Sequence, residues 1–242
     1  ATGKLQGYLI EIAAKIFKKK EILEKILDVA GQKGTGIWTS QEALGHGVPV
    51  NTITEAVFAR ALSAKKLLRK NLGGKFQKSP QESPSLPKQT LESALELGFL
   101  TCYAQGFDLI NEMNFPQKAK KSEIARVWQG GCIIRSQMLK EIKIAFEENE
   151  EIHLFENEQV QKKIQENAPA LRELVKIAIE KQIPVPAFSS VLAYIDSLTT
   201  ENLKGISLIQ ALRDCFGAHT YQRIDKEGTF HTDWDEVKST KS

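Results

Sequence analysis

Residues 91–113 read LESALELGFLTCYAQGFDLINEM, and this stretch decides the fold class. Apolar residues recur in it at helical spacing and cover almost the whole circumference: Leu95, Leu97, Phe99, Leu100, Phe107, Leu109 and Ile110. A helix that is apolar on every side packs in the centre of a bundle. We therefore predict an all-α, multi-helix bundle built around this segment. No stretch of alternating apolar and polar residues predicts a strand anywhere in the chain.

Helical patterns continue on both sides of this segment. Further helices are predicted after capping-box patterns at 39–42 and 52–55, from Ser122 to 146, at 158–180 with a break at Pro169, at 188–198 and at 203–215. Gly130 and Gly131 fall inside the helix predicted from Ser122, so we expect another element to approach closely there. A polar, proline-rich loop is predicted at 79–87, and residues 220–242 show no helical face.

Composition excludes several classes of function. The 242 residues include 33 Lys and Arg against 30 Asp and Glu, a net charge of +3, which lacks the basic excess typical of nucleic-acid binders. No stretch approaches the ~20 apolar residues that span a membrane. Cys102, Cys132 and Cys215 have no Cys-x-x-Cys spacing and are expected to be buried, inert thiols in a reducing compartment. We expect no nucleic acid, no membrane and no metal as partners.

The sequence GQKGTG at residues 31–36 carries the strongest local chemistry. Its glycines let backbone N–H groups converge, Lys33 adds a cation, Thr35 adds a hydroxyl, and a helix begins just afterwards. Together these features suit an anion the size of a phosphate. The residue order of a P-loop is absent, and no strand precedes the segment. An ordinary glycine turn between two helices is the alternative, and the residues alone leave both interpretations open.

Two arginines and a histidine are further candidates for a site. Arg60 lies on a predicted helix and is either solvated or a second phosphate clamp, for which its planar guanidinium is well suited. Arg213 lies in the last turn of another predicted helix, where it either interacts with the helix C-terminus or binds a ligand. His219 follows the expected helix stop at Gly217 and is either structural or a donor that faces a ligand.

Four segments, taken in order, point to one family: AGQKGTGIWT (30–39), EAVFAR (55–60), WQGGCIIRS (128–136) and QALRDCFGAHTY (210–221). They resemble the corresponding parts of 6-phosphogluconate dehydrogenase. Gln129 and Cys215 depart from the arginine and the aromatic residue common there, and neither is a site position. The resemblance implies the helical C-terminal domain of that family. We expect residues 1–219 to form the substrate-binding and dimerisation domain and residues 220–242 an extended tail.

The resemblance also implies an activity and a site. The family oxidises 6-phosphogluconate with NADP, decarboxylates the resulting β-keto acid and tautomerises the enediol to ribulose 5-phosphate, without a metal. It is a cytoplasmic homodimer of the pentose phosphate pathway. Carried over by motif, Lys33, Thr35 and Arg60 would bind the substrate, mainly its phosphate, from one subunit. Arg213 and His219 would reach the same site from the partner, into which the tail would also extend.

The resemblance covers about the second half of such an enzyme. The family's Rossmann domain, which binds most of the NADP, has no counterpart in these 242 residues, and neither have the lysine base and the glutamate acid. We therefore expect no catalytic residue in this chain, and Lys33 is not the catalytic base. The alternative from another functional class is a stand-alone, non-catalytic helical module for dimerisation or interaction.

Overall fold

A computed structural model describes residues 3–76, 85–113, 115 and 119–235. Within these ranges the chain forms eleven α-helices and one two-stranded hairpin, which confirms the all-α class. The elements are α1 (Tyr8–Phe17), α2 (Lys20–Leu23), α3 (Thr35–His46), α4 (Asn51–Ser63), α5 (Lys66–Gly73), α6 (Lys88–Glu112), α7 (Lys121–Trp128), α8 (Met138–Glu148), α9 (Glu158–Glu180), α10 (Pro186–Leu198), α11 (Lys204–Gly217), β1 (Tyr221–Gln222) and β2 (Thr229–Phe230). Most of the proline-rich loop predicted at 79–87 lies outside the described residues.

The chain divides into two compact units, residues 1–194 and residues 195–242. The first unit contains α1 to α9 and most of α10, and the second contains the end of α10, α11 and the hairpin. These units are defined by compactness. The division expected at residue 219 separates a substrate-binding and dimerisation domain from a tail by function, and it stays a prediction. In the part of the chain that the structure describes, no helix is both long and apolar enough to cross a bilayer.

The helix predicted at the centre is confirmed as α6. It packs along α9 and also against α3 and α4, and no residue from 92 to 111 is exposed. Leu97, Leu100 and Phe107 on α6 are at most 2% exposed. Burying one such side chain contributes roughly 1.5–3 kcal/mol, so α6 and its neighbours form the main source of stability in the first unit.

Polar side chains are also buried on α6, which an apolar pattern does not predict. Glu96 is only 1% exposed; it accepts a hydrogen bond from Lys163 Nζ at 3.0 Å and pairs with Lys4. Gln105 Oε1 accepts the backbone N–H of Thr52 at 3.1 Å. Because a buried polar group without a partner is costly, these contacts fix the segment before α1, the start of α4 and α9 on the central helix.

The single helix predicted from Ser122 onward is wrong. The structure has two helices, α7 and α8, joined by a turn in which Gly131 has a φ of +69°. A Cβ placed on Gly130 or Gly131 would meet nothing within 4 Å, so these glycines serve the turn and no close approach. Ser122 does not cap α7 either, because it lies inside the helix, whose N-cap residue is Lys120. Its backbone N–H and hydroxyl both donate to the Glu150 carboxylate.

The break predicted at Pro169 is also wrong. α9 runs without interruption from Glu158 to Glu180 with Pro169 inside it. A proline in a helix interior removes one hydrogen bond and costs about 3 kcal/mol. Buried side chains on both sides of it, Ile164 and Leu171 among them, hold α9 on the central helix and outweigh that cost.

The two predicted capping boxes do not form. α3 already begins at Thr35, and α4 begins at Asn51 without a side-chain cap. The Thr39 hydroxyl donates to the Thr35 carbonyl at 2.9 Å inside α3 and caps nothing. Both helices start earlier than the pattern predicts. Their N-cap residues, Gly34 and Val50, form no side-chain hydrogen bond to the first turn.

The three cysteines have unequal surroundings. Cys102 and Cys132 are partly buried, and burial raises the pKa of the Cys102 thiol to about 11, which keeps it protonated and inert. Cys215 is exposed on α11, so the prediction that all three are buried is wrong at this position.

Candidate functional site

The glycine-rich loop ends at Gly34, because α3 begins at Thr35; the prediction that Thr35 and Gly36 belong to the loop is wrong. Gly34 is the N-cap residue of α3 and has a φ of +100°, a conformation that only glycine adopts without cost. No side chain caps this helix end. The first N–H groups of a helix have no partner within the helix, and its dipole favours negative charge there. Thr35 is the first residue of α3, so its hydroxyl lies beside this anion-attracting end.

Arg60 is tied to the same loop by a hydrogen bond. Its Nη2 atom donates to the carbonyl of Gly31, two positions before Lys33 in the chain. Lys33, Thr35 and Arg60 are all exposed, and Lys33 forms no ion pair with any residue that the structure describes. Three of the five predicted site residues are therefore brought to one region at the N-terminus of α3.

Two hydrogen bonds between backbone and side-chain groups hold the loop, and the residue before it, along α4. The Ala30 N–H donates to Ser63 Oγ at 2.9 Å, and Gln32 Nε2 donates to the Val57 carbonyl at 3.3 Å. A Cβ on Gly36 would lie 2.9 Å from Val57 Cγ2, so α3 and α4 approach closely at this glycine. The loop is thus positioned by α4, the helix that also carries Arg60.

One carboxylate lies shortly before the loop, at Asp28. Hydrogen bonds from Arg69 and Lys66 hold the pKa of Asp28 well below its usual range. The two cations of α5 also neutralise its charge. Asp28 therefore presents little net negative charge to an anion bound at the loop.

The described part of the tail contains no helix, as predicted. It does contain two short antiparallel strands, β1 and β2, in which Tyr221 pairs with Phe230. The prediction that no strand forms anywhere is wrong for these few residues, because two-residue strands are too short to show an alternating pattern.

The hairpin is organised around the carboxylate of Asp214, which is fully buried. It accepts hydrogen bonds from the Thr220 N–H at 2.9 Å, the Thr232 N–H at 3.1 Å and Trp234 Nε1 at 2.9 Å, and lies 2.9 Å from His231 Nδ1. Burial raises the pKa of this carboxyl group, but the four donors outweigh burial and lower the pKa to about 2. Asp214 is therefore ionised at neutral pH and binds both ends of the hairpin.

Arg213 and His219 lie on either side of this carboxylate in the chain, and both are exposed. The prediction that Arg213 lies in the last turn of its helix is wrong, because α11 continues to Gly217 and has no basic residue in its last turn. Arg213 Nη1 donates to Gln210 Oε1 at 3.3 Å. The His219 ring packs edge-on against Phe216. A Cβ on Gly217 would lie 2.7 Å from His219 Nε2, so the exposed His219 ring packs directly over the last residue of α11.

A family model described as 6-phosphogluconate dehydrogenase, C-terminal domain, matches residues 1–234. The chain belongs to the 6-phosphogluconate dehydrogenase family.

Individual relatives agree with this assignment. The NADP(+)-dependent, decarboxylating 6-phosphogluconate dehydrogenase of Bacillus subtilis is 44% identical over 246 residues, which cover 96% of this chain and 52% of the relative. The decarboxylating enzyme of Escherichia coli is 43% identical over 244 residues with the same coverage. A solved structure of Plasmodium falciparum 6-phosphogluconate dehydrogenase superposes with a TM-score of 0.86 at 41% identity. The chain spans about half the length of the relatives that it matches.

A cavity of about 760 Å³ in the first unit is a poor candidate for the substrate of this family. Although Thr35 lies at its edge, its lining is mainly apolar and includes Trp38, Tyr103 and Trp128. A phosphorylated sugar acid needs polar partners for each hydroxyl, and these walls offer few. In the described ranges, no group of three His, Cys, Asp or Glu residues could hold a metal ion.

Sequence reasoning missed Asp214 and Gln210 in this 6-phosphogluconate dehydrogenase domain. Both lie inside the quoted segment 210–221, but nothing in the pattern marks them as buried or bonded. In the structure His231 lies against Asp214, and His153 caps a 3-10 turn at Leu154–Glu156.

Proposed function

We propose that this chain supplies the substrate-phosphate site and the dimer interface of a cytoplasmic, NADP-dependent, decarboxylating 6-phosphogluconate dehydrogenase. Such an enzyme converts 6-phosphogluconate to ribulose 5-phosphate in the pentose phosphate pathway. The observation that carries the proposal is the hydrogen bond from Arg60 to the Gly31 carbonyl. It places a second cation beside the Lys33 loop at the uncapped N-terminus of α3.

The charge of the substrate favours a site with several cations. A doubly ionised phosphate in a partly dry site retains much uncompensated charge next to a single lysine. Lys33, Thr35 and Arg60 would bind it from one subunit, together with the free N–H groups of α3. Arg213 and His219 would complete the site from the partner subunit, because both are exposed and lie just before the tail.

The surface of α11 supports a second copy of the chain as the partner. Five apolar side chains on this 14-residue helix are each more than half exposed: Ile206, Leu208, Ile209, Leu212 and Phe216. An apolar surface of this extent is typical of an interface between subunits. Arg213 lies on the same helix, so association through α11 would carry Arg213 to the partner.

NADP would be held mainly by the part of the enzyme that corresponds to the unmatched half of the relatives. When bound, NADP takes up the hydride from the substrate. The residues of this chain would bind the phosphate and thereby orient the sugar acid. None of them is proposed as a catalytic acid or base. Residues 1–242 alone should therefore show no NADP-dependent oxidation of 6-phosphogluconate, and turnover above background by the purified chain would contradict this.

A mixed-dimer experiment tests the shared site. Residues 1–242 are joined to the half of the Bacillus subtilis relative that they do not match, and this fusion is made as two variants, Lys33→Ala and Arg213→Ala. Assayed with 6-phosphogluconate well below the KM of the unsubstituted fusion, each homodimer should keep only about a tenth of the activity or less. Co-expression with two purification tags gives the mixed dimer, in which a shared arrangement leaves one site fully intact. It should then recover about half of the activity per dimer.

Two outcomes would contradict the proposal. If all the phosphate ligands come from one chain, every site in the mixed dimer carries a lesion, and no activity returns. If the fusion without substitutions folds and dimerises but does not oxidise 6-phosphogluconate, the chain is better described as a non-catalytic helical module.

A further inference from the structure

The backbone on both sides of His219 has an unusual conformation. Ala218 has a φ of +48° and Thr220 a φ of +59°, both in the left-handed region. Alanine and threonine are disfavoured there, and a β-branched residue such as threonine is a genuine outlier. Such a conformation persists only where the surroundings hold it in place. Some contact must therefore keep Thr220, and with it His219, in this arrangement.

Two side chains of α11 supply that contact. Asp214 Oδ1 accepts the N–H of Thr220 at 2.9 Å, and Gln210 Nε2 donates to the carbonyl of Thr220 at 2.5 Å. Asp214 and Gln210 are four residues apart, which places them next to each other on one face of the helix. Both backbone polar groups of Thr220 are thus bound by one pair of side chains, which we call the Thr220 clamp.

The clamp is itself held rigidly. The Asp214 carboxylate is fully buried and receives further donors from Thr232, Trp234 and His231 of the hairpin. A buried carboxylate with this many donors has little freedom to rotate. Its position is therefore determined before any ligand binds.

The clamp also reaches the other candidate ligand of this segment. Gln210 donates to Thr220 with its nitrogen and accepts from Arg213 Nη1 at 3.3 Å with its oxygen. One amide therefore links the residue after His219 to the guanidinium of Arg213.

We propose that Asp214 and Gln210 are positioning residues: they hold Thr220 in the left-handed conformation and so fix His219 and Arg213 in the geometry that binds the substrate phosphate. This inference rests on the proposed function, in which His219 and Arg213 contact that phosphate. The clamp residues do not touch the substrate themselves. They hold His219 and Arg213 in place before the substrate binds, so less conformational freedom is lost on binding.

The first test substitutes Asp214→Asn in the fusion enzyme described above. Asparagine keeps the size of the side chain but has one acceptor oxygen where the carboxylate has two. Loss of hydrogen bonds to a charged group should raise the KM for 6-phosphogluconate by about tenfold or more. The KM for NADP should not change, because its site lies mainly in the other half of the protein.

A rescue experiment separates positioning from a merely structural role. Asparagine adopts the left-handed conformation far more readily than threonine, so Thr220→Asn needs the clamp less. The double variant Asp214→Asn, Thr220→Asn should recover most of the loss in KM. A matched control is His231→Ala, which removes another donor from Asp214 but leaves both bonds to Thr220, and its KM should stay within about threefold of the unsubstituted enzyme.

Gln210→Leu provides a second route in case Asp214→Asn does not fold. It removes the other half of the clamp without disturbing the buried carboxylate, and it should also raise the KM for 6-phosphogluconate. If Asp214→Asn folds and its KM for 6-phosphogluconate is unchanged, the inference is overturned. If Asp214→Asn does not fold, an unchanged KM in Gln210→Leu overturns it. If adding Thr220→Asn to Asp214→Asn does not lower the KM again, the left-handed conformation of Thr220 has no role in binding the substrate.

His219→Ala distinguishes failure of this inference from failure of the proposed function. If His219→Ala leaves the KM unchanged, the role of His219 in the proposed site is wrong. If His219→Ala raises the KM but neither clamp variant does, only the positioning role is wrong.

Discussion

The two parts of the proposed phosphate site are built in opposite ways. At the loop, the left-handed residue is Gly34, which adopts this conformation without cost, and Arg60 joins the loop through one exposed hydrogen bond. At the hairpin, left-handed conformations fall on Ala218 and Thr220, and a buried carboxylate holds the second of them.

This difference indicates that the two parts would bind the same phosphate in different ways. A glycine loop with exposed cations can adjust to a bound phosphate, and it loses conformational freedom when it does so. A strained backbone that is already held in place has lost that freedom during folding, so binding costs less there. We expect substitutions at the loop to act through the contacts themselves and substitutions at the hairpin to act through geometry.

The largest difference is expected between the two arginines. Arg60→Ala removes a phosphate contact and the tie to Gly31 together, and should raise the KM for 6-phosphogluconate in the fusion enzyme by about 100-fold. Arg213→Ala removes a phosphate contact and one exposed hydrogen bond to Gln210 on the same helix, but no tie between separate segments, so the expected rise is about tenfold. Arg60→Lys keeps the charge but lacks the planar fork, so it should recover only part of the loss. Complete recovery by Arg60→Lys would mean that the tie to the loop is unimportant.

A smaller effect is expected on stability where the loop enters α3. Gly36→Ala places a Cβ 2.9 Å from Val57 Cγ2, so α3 and α4 must move apart. We expect a loss of about 1–3 kcal/mol in the free energy of unfolding of the 242-residue chain, measured with urea. Gly45→Ala is the matched control, because it lies in the same helix with nothing within 4 Å of its added Cβ. It should stabilise the chain by about 0.5–1 kcal/mol.

The smallest effect is expected in acid and confined to the hairpin. The pKa of Asp214 is about 2 in the folded protein, below the ordinary value of 3.8 that it has in an unfolded chain. The unfolded hairpin therefore binds the proton more tightly. The stabilisation is complete above about pH 4 and is lost as the pH falls towards 2. Loss of protection of the Thr220 amide, relative to its intrinsic exchange rate at each pH, and a change in Trp234 fluorescence over this range would report the opening. In Asp214→Asn neither signal should titrate, and an unchanged titration there would assign the step to another group.

The helices were predictable wherever apolar periodicity is strong. The predicted range 158–180 coincides with α9, and the segment 91–113 lies within or next to α6, because a repeating apolar face is a local property of the chain. Helix ends were less predictable. α7 ends at Trp128, before a turn that contains the left-handed Gly131, and α3 starts at a left-handed Gly34 where no side chain caps the helix.

For the site, the sequence by itself determined the candidate residues. Lys33, Thr35, Arg60, Arg213 and His219 were found from a glycine-rich loop and a family resemblance, and their roles stay a prediction. Tertiary structure alone decided how they are held. It tied Arg60 to Gly31 across 29 positions of the chain, and it buried Asp214 among donors 6 to 20 positions away. The physical reason is that hydrogen bonds and burial depend on which distant residues meet, whereas a motif records only which residues are neighbours along the chain.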